Sequence, residues 1–441
     1  MNFFPLISGH FLFCHFFSIL VKKKVMKNLG YFYLALLIVF SVVLISCDDE
    51  DDDPTPDKYY PNKILIIIAE DVYSSVKGDV DGYVEDLQSI QNSTGIIYKW
   101  EDGTVEEMRA VIQNYIESDT IQGVFLIGDL PVAWYEMEST WKEHEEFPFE
   151  HYLMDINNTW EDVDHDGKYD GYSDLNLDIF VSRIDGTASE IESYLDKVHD
   201  YKTNGSLTNQ KALLFIDDDW SSMYYSQLFN VNQVYADYEQ VVDLAETTKS
   251  KYIEKMSSGF EYVHQMIHSY PATLVIGHEG ANQNMTAEEI SSANLKGSFY
   301  NLFDCSASKF TEECLAMTYV MKTSYGLATM GTTKTGGNYW PQDFNSQLAA
   351  GQSWGAAFIY WFNSSTGGDY LEDKWKMGLV ILGDPLLTLS DGTKKSLRAL
   401  NKNFDGKPNA EILEEKMLKT SANTATGTYE DYKQSHTRYF K

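Results

Sequence analysis

Three features of the sequence predict an α/β protein, a three-layer sandwich with mostly parallel sheets in two subdomains. Short apolar runs recur, from Ile64-Leu65-Ile66-Ile67-Ile68 through Val124-Phe125-Leu126-Ile127-Gly128 to Ile179-Phe180-Val181. Strands that are apolar without alternation are buried on both faces. Between them Val105, Met108, Val111, Ile112, Tyr115 and Ile116 fall on one face of a helix. The alternation then starts again beyond the polar break Thr203-Asn204-Gly205-Ser206, and strand, helix, strand repetition marks a sheet covered on both sides.

Residues 1–46 read as a signal peptide: Lys22, Lys23, Lys24 and Lys27 precede the apolar run Tyr31 to Ile45, which closes on Leu44-Ile45-Ser46-Cys47. That run is about 15 residues, short of the roughly 20 that a membrane-spanning helix needs. Met26 is the more ordinary start for such a leader, because the apolar stretch Phe3 to Val21 lies ahead of the lysines. Cleavage before Cys47 leaves that cysteine to carry a lipid. The string Asp48-Asp49-Glu50-Asp51-Asp52-Asp53 resembles the export tag of surface lipoproteins in Bacteroides-like bacteria. The expected address is therefore the outer membrane, exposed at the cell surface, with a flexible acidic linker over 47–61.

The first α/β subdomain is expected over 62–205. Its last helix opens on Ser189 and Glu192 as a capping box and carries Ile191, Tyr194, Leu195, Val198 and Tyr201 on one stripe. The second spans 206–395. Its strands are expected at Ala212 to Ile216, Thr273 to Gly277, Phe299 to Phe303, Tyr325 to Met330 and Leu379 to Gly383, with a helix opening at Thr286. Residues 396–441 lose apolar periodicity and form a poorly defined tail.

The formal charge is −32, and the leader carries only basic charges, so the mature chain is more acidic still. A field of that sign disfavours nucleic acid and anionic lipid as partners. The remaining membrane link is the N-terminal lipid.

Beyond the leader and its cleavage point at Cys47, the cysteines of the folded body are Cys305 and Cys314. They are either a disulfide or one reactive thiol and one small buried hydrophobe. His278 follows the run Leu274 to Gly277, and Cys305 follows Phe299 to Phe303. Two adjacent parallel strands would bring imidazole and thiol to one rim, where open sheets bind ligands. That pair is the minimal apparatus of acyl transfer. Gly277 and Gly280 suit a turn exposing backbone N–H groups. The alternative is a loop histidine and a strand-end hydrophobe.

A second constellation is Asp162, Asp164, Asp166 and Asp170 at the first, third, fifth and ninth positions of a loop with Gly167 at the sixth. Such spacing wraps oxygen ligands round Ca²⁺, the Lys168 carbonyl filling the seventh position. Ser173 stands where an EF-hand has glutamate. The expected role is structural, and no organic cofactor is expected.

Gly277-His278-Glu279-Gly280 followed by Leu302-Phe303-Asp304-Cys305-Ser306-Ala307-Ser308 resembles the catalytic segments of gingipain-type cysteine peptidases, which belong to the same broad group as caspases and legumain. Leu177-Asp178-Ile179-Phe180-Val181-Ser182-Arg183-Ile184 resembles the family's strand ahead of the catalytic segments, and Gly128-Asp129-Leu130-Pro131 and Leu382-Gly383-Asp384-Pro385-Leu386 resemble its turns. The matches run in family order from about Ile64 to Leu389.

The resemblance implies a caspase-hemoglobinase fold, with Cys305 as nucleophile, His278 handling the leaving-group proton and Asp178 orienting that histidine. It implies a peptide or protein substrate. Glu279 stands where the family has glycine, and Asp304 sets a negative charge beside the thiol. The expected function is a cysteine endopeptidase. The alternative is a degenerate surface lipoprotein that keeps the fold for binding or scaffolding.

Overall fold

The computed structural model describes residues 63–138, 144–223, 230–278, 281–337, 341–364 and 374–389. The leader, Cys47, the acidic linker and the tail lie outside the described residues. All described residues belong to one compact unit, and no helix among them is long and apolar enough to cross a membrane.

The first half opens as strand, helix, strand: β1 (Lys63–Ala69), α1 (Glu70–Ser89), β2 (Thr94–Trp100), α2 (Val105–Asp119) and β3 (Gly123–Ile127). Strands β2 and β3 flank β1 on opposite sides, both parallel to it. Right-handed crossovers in opposite directions put α1 and α2 on opposite faces, which accounts for the all-round burial of β1 and β3. A long connection follows, with hairpin β4 (Trp134–Met137) and β5 (Glu145–Pro148) and the short pair β6 (Trp160–Glu161) and β7 (Gly171–Tyr172). Strand β8 (Phe180–Ile184) and α3 (Ala188–Asn204) complete this half. The capping box of α3 is Thr187 with Glu190, two residues ahead of the expected pair.

The second half comprises β9 (Ala212–Ile216), β10 (Tyr238–Val241), α4 (Lys249–Ser258), β11 (Phe260–Met266), β12 (His268–Tyr270), β13 (Thr273–His278), β14 (Ala281–Thr286), α5 (Ala287–Ala293), β15 (Gly297–Phe303), α6 (Leu315–Lys322), β16 (Ala328–Thr332), α7 (Gln342–Ala349), α8 (Trp354–Ser364) and β17 (Leu379–Gly383). The Thr286 capping box opens α5 as expected. The strand expected at Tyr325 to Met330 begins three residues later, at Ala328.

Ten strands form one sheet in the order β10-β9-β11-β15-β16-β17-β8-β3-β1-β2. Every neighbouring pair is parallel except β16 and β17. The sheet thus has two parallel parts that point opposite ways and meet at an antiparallel seam, and β17, though it comes from the second half of the chain, lies in the part built mainly by the first, beside β8. The carboxyl rim of the second half consequently lies on the side where β8 begins.

One expectation is corrected. Strand β13 does not enter this sheet; it is the middle of a separate antiparallel sheet, β12-β13-β14. The main-sheet neighbour of β15 is β11, whose sequence Phe260-Glu261-Tyr262-Val263-His264-Gln265-Met266 is too polar to be expected as a buried strand. All seven residues are buried nonetheless. Two of its polar side chains are bonded inside: Tyr201 donates to Glu261 at 2.6 Å, and Tyr252 donates to Gln265 at 2.7 Å.

Candidate active site

Strand β15 is buried throughout and ends at Phe303. The next four residues turn sharply, with the Ala307 N–H donating to the Asp304 carbonyl at 3.3 Å and the Ser306 N–H to the Lys334 carbonyl at 2.7 Å. Ser306 holds φ at 56°, a region that side chains rarely adopt and one found where the surroundings over-determine the backbone. Cys305 sits in this turn, partly exposed.

The neighbouring strand β11 ends at Met266, and two residues later, beyond Ile267, the chain carries His268. The Ser269 hydroxyl donates to the Cys305 carbonyl at 2.7 Å, so the two strand ends touch. On the other side of β11, strand β9 ends at Ile216 and leads into Asp217, Asp218 and Asp219. Asp219 Oδ2 lies 3.0 Å from His268 Nε2. Asp217 Oδ2 accepts from the His268 N–H at 3.4 Å and from the Gly277 N–H at 3.3 Å. The Trp220 ring lies 4.1 Å from the His268 ring and edge-on to Phe303 at 5.5 Å. Three successive strands of the sheet thus end in a carboxylate, an imidazole and a thiol.

The far wall comes from the segment after β16. Gly337 lies so close to β15 that a Cβ there would stand 2.7 Å from the Phe303 Cα, and Gly336 takes φ +136°. Glu145, at the start of β5, accepts from the Thr335 N–H at 3.1 Å and hydroxyl at 2.6 Å, which ties the β4–β5 hairpin of the first half into the rim. Burial pushes the Cys305 thiol above its ordinary value; the Gly336 N–H pulls it down, the Asp304 carboxyl when ionised and the Glu145 carboxyl add to the rise, and the Lys334 ammonium opposes it. Cys314 is a free thiol like Cys305, buried at the start of α6, where burial raises it to about 12.

The expected residues fare unequally. Cys305 stands at the carboxyl rim. The backbone of His278 closes β13, paired with Ala281; its side chain, Glu279 and Gly280 lie outside the described residues. The geometry separates Asp178 from the thiol: its carboxylate accepts from the Asn157 N–H at 3.0 Å and carboxamide at 2.7 Å. It also precedes β8, three strands from β15, roughly 14 Å at ordinary strand spacing. Sequence reasoning missed His268, Asp217 and Asp219. Their signal was an acidic triplet directly after an apolar strand, and a histidine beyond a strand disguised by its own polar residues.

The acidic loop is folded inward on itself. Asp162 Oδ1 accepts from the His165 N–H at 2.8 Å and Oδ2 from the Gly167 N–H at 3.0 Å. Asp170 Oδ1 accepts from the Val163 N–H at 3.0 Å. Carboxylate oxygens of Asp162, Asp164 and Asp166 lie within 4.8 Å of one another, as do those of Asp164, Asp170 and Glu136 of β4. The Lys168 ammonium pairs with Asp166 and stands 3.5 Å from Glu136.

Known proteins give this rim a context. Among curated proteins none matches the chain. Among solved structures it is similar to the Arg-specific cysteine proteinase gingipain R (RgpB), at 14% identity and a TM-score of 0.54, over 74% of this chain and 78% of that one. It is likewise similar to a complex of the pro- and mature domains of RgpB from Porphyromonas gingivalis, at 14% identity and a TM-score of 0.53, over 74% of this chain and 79% of that one. At such identity the likeness speaks for the fold, the mixed α/β, caspase-like architecture that the sequence resemblance implied. The model of peptidase family C25 matches residues 62–390, most of the sequence, and on that ground the chain belongs to peptidase family C25.

Proposed function

We propose that the protein is a cysteine-type endopeptidase in which Cys305 is the nucleophile, His268 the acid and base, and Asp219 the group that orients the imidazole. The observation that carries this reading is the run of strand ends β9, β11 and β15, which hold those three residues side by side. Membership of peptidase family C25 supports the reaction class.

The chemistry rests on the hydrogen bond between Asp219 and His268 Nε2. A carboxylate there holds the proton on Nε2, leaving Nδ1 to take the thiol proton, and it stabilises the imidazolium that results. The thiolate attacks the peptide carbonyl carbon. The C–N bond breaks as His268 returns its proton to the departing amine, and an acyl-enzyme remains. His268 then takes a proton from water, the hydroxide displaces the thiolate, and the acid leaves. The Gly336 N–H beside the sulfur is the candidate donor to the oxyanion.

The test is turnover of a mixed peptide library, with new N-termini read by mass spectrometry. Wild type and Cys314→Ala should cleave and Cys305→Ala should not; cleavage by Cys305→Ala at the wild-type rate contradicts the mechanism. A second reading, binding or scaffolding without turnover, is favoured by the burial that raises the thiol. Equal peptide binding by wild type and Cys305→Ala, with no products, would select it.

Two further parts of the proposal lie away from the thiol. Asp162, Asp164, Asp166, Asp170 and the Lys168 carbonyl are proposed to hold Ca²⁺, with Glu136 taking the place of the glutamate that an EF-hand loop carries at its end. Two triads that share Asp164, one with Asp162 and Asp166 and one with Asp170 and Glu136, each with carboxylate oxygens within 4.8 Å of one another, support the fit. Cys47 is proposed to carry the lipid that tethers the protein to the outer membrane, facing outward. Cys47→Ala should then move the protein from the detergent phase to the aqueous phase; an unchanged partition would rule the anchor out.

A further inference from the structure

Asp304 has an obvious cost, a negative charge beside the nucleophile, and its surroundings give it a different part. The residue is fully buried. Its Oδ1 accepts from the Ile267 N–H at 3.1 Å, and its Oδ2 accepts from the Gln265 carboxamide. Gln265 accepts from the Tyr252 hydroxyl of α4 at 2.7 Å, and Tyr252 shares a hydrogen bond of 2.8 Å with Tyr319 of α6. Two helices and two strands are linked to the residue before the thiol.

We propose that Asp304 is a positioning residue that holds the imidazole-bearing end of β11 against the thiol-bearing end of β15, and that it does so as a neutral carboxylic acid. The proposal rests on the reading of Cys305 and His268 as a reacting pair. The backbone ladder between the two strands ends at Met266 opposite Phe303. Ile267 and Asp304 are the next pair, and there a side chain continues the register that the backbone gives up. The residues fixed by that contact immediately precede His268 and Cys305, so one hydrogen bond sets their spacing.

Among the described residues the groups that face the carboxyl bring it no cation in contact, and burial outweighs the two N–H donors that by themselves favour the charged form. From β11 comes a carboxamide, from the turn an amide N–H and the Cys305 thiol, from α4 and α6 the phenols Tyr252 and Tyr319; Lys334 faces the thiol from the β16 side. Both direct partners of the carboxyl are uncharged, and an unpaired buried carboxylate is costly. Burial accordingly pushes the Asp304 carboxyl well above the usual range. The added proton has a place to go. With the Gln265 carboxamide turned about, Asp304 donates to Oε1, Nε2 donates to Tyr252, and Tyr252 donates to Tyr319, so every group keeps a partner. A neutral Asp304 also removes the negative charge that would oppose the thiolate.

The experiment measures the rate of alkylation of Cys305 by iodoacetamide, located by mass spectrometry, across about pH 5 to 9 in the full chain. Wild type should react at neutral pH at least about tenfold faster than His268→Ala. Asp304→Asn, whose amide satisfies the same network turned about, should keep the rate within about threefold and the pH midpoint within about 0.3 unit. Asp304→Leu, which lacks the acceptor, should fall to the His268→Ala rate. A midpoint lowered by about one unit or more in Asp304→Asn would show that a charge had been removed and overturns the neutral acid. A His268-dependent rate surviving in Asp304→Leu overturns the positioning role, and if that variant does not fold, the Asp304→Asn midpoint still decides. Equal rates for wild type and His268→Ala would instead reject the reacting pair, and with it the proposal.

Discussion

Among single residues the site separates groups that the sequence makes look alike. Asp217 accepts from the backbone N–H groups of His268 and of Gly277, the residue before His278, and it is His268 that follows β11, the neighbour of β15. His268→Ala should therefore lower peptide turnover by roughly 10²–10⁴-fold, the usual worth of a positioned acid and base. Asp219→Asn should cost on the order of 10³–10⁴-fold, by losing the acceptor that fixes the tautomer. Asp178→Asn should leave turnover unchanged; initial-rate kinetics on one peptide compares all three, and a large loss from Asp178→Asn would contradict the assignment.

His264 makes a separate prediction. Burial lowers it to about 3, against about 6.5 in an unfolded chain. The folded state thus binds fewer protons, its stability is whole above about pH 6.5, and it is lost as the pH falls toward 3. Between pH 7 and 5 the loss is about 2 kcal/mol. Urea unfolding of His264→Gln and wild type should show the difference between them moving by that amount in the variant's favour; a constant difference would contradict the buried neutral ring.

At the level of strands and helices, the legible part of the chain was the part governed by apolar periodicity. Strands β1, β3, β9 and β15 and the helix opened by Thr286 lie where their patterns predicted. Strand β11 was hidden because a buried strand need not be apolar if its neighbours supply hydrogen bonds, as Tyr201, Tyr252 and Asp304 do for Glu261 and Gln265. The apolar run of β13 took its place in the reading, and the histidine after it took the catalytic role. The start of α3 slipped for a related reason: Thr187 with Glu190 and Ser189 with Glu192 both fit the capping-box spacing, and only the folded backbone chooses. The loop after β16 is constrained in a way that composition alone leaves open. Gly337→Ala should destabilise the fold by about 1–3 kcal/mol, because a Cβ would strike the β15 backbone, and should slow Cys305 alkylation. A thermal melt and alkylation rate equal to wild type would show that this contact does not shape the site.

Across the whole molecule, two parallel halves of opposite direction share one sheet, which periodicity cannot reveal because parallel and antiparallel neighbours look the same in a buried strand. The arrangement has a consequence for function. The β4–β5 hairpin of the first half reaches the rim of the second, where Glu145 binds Thr335, and the same hairpin offers Glu136 to the acidic loop. Ca²⁺ in that loop should therefore stabilise the molecule as a unit, by about 2.7 kcal/mol at a hundredfold excess over its dissociation constant. A single melting transition should rise with Ca²⁺ and return with chelator in wild type, and stay fixed in Asp162→Asn; the same rise in both would mean the ion binds elsewhere.

The mechanism stands or falls on β11 and β15, side by side, bringing an imidazole and a thiol into one reacting pair. Covalent labelling by a peptide chloromethyl ketone, mapped by mass spectrometry in wild type, His268→Ala and His278→Ala, is the decisive experiment. The expected result is an adduct on Cys305 alone, retained in His278→Ala and suppressed in His268→Ala. Labelling that depends on His278 and ignores His268, or that falls on Cys314, would contradict the pairing.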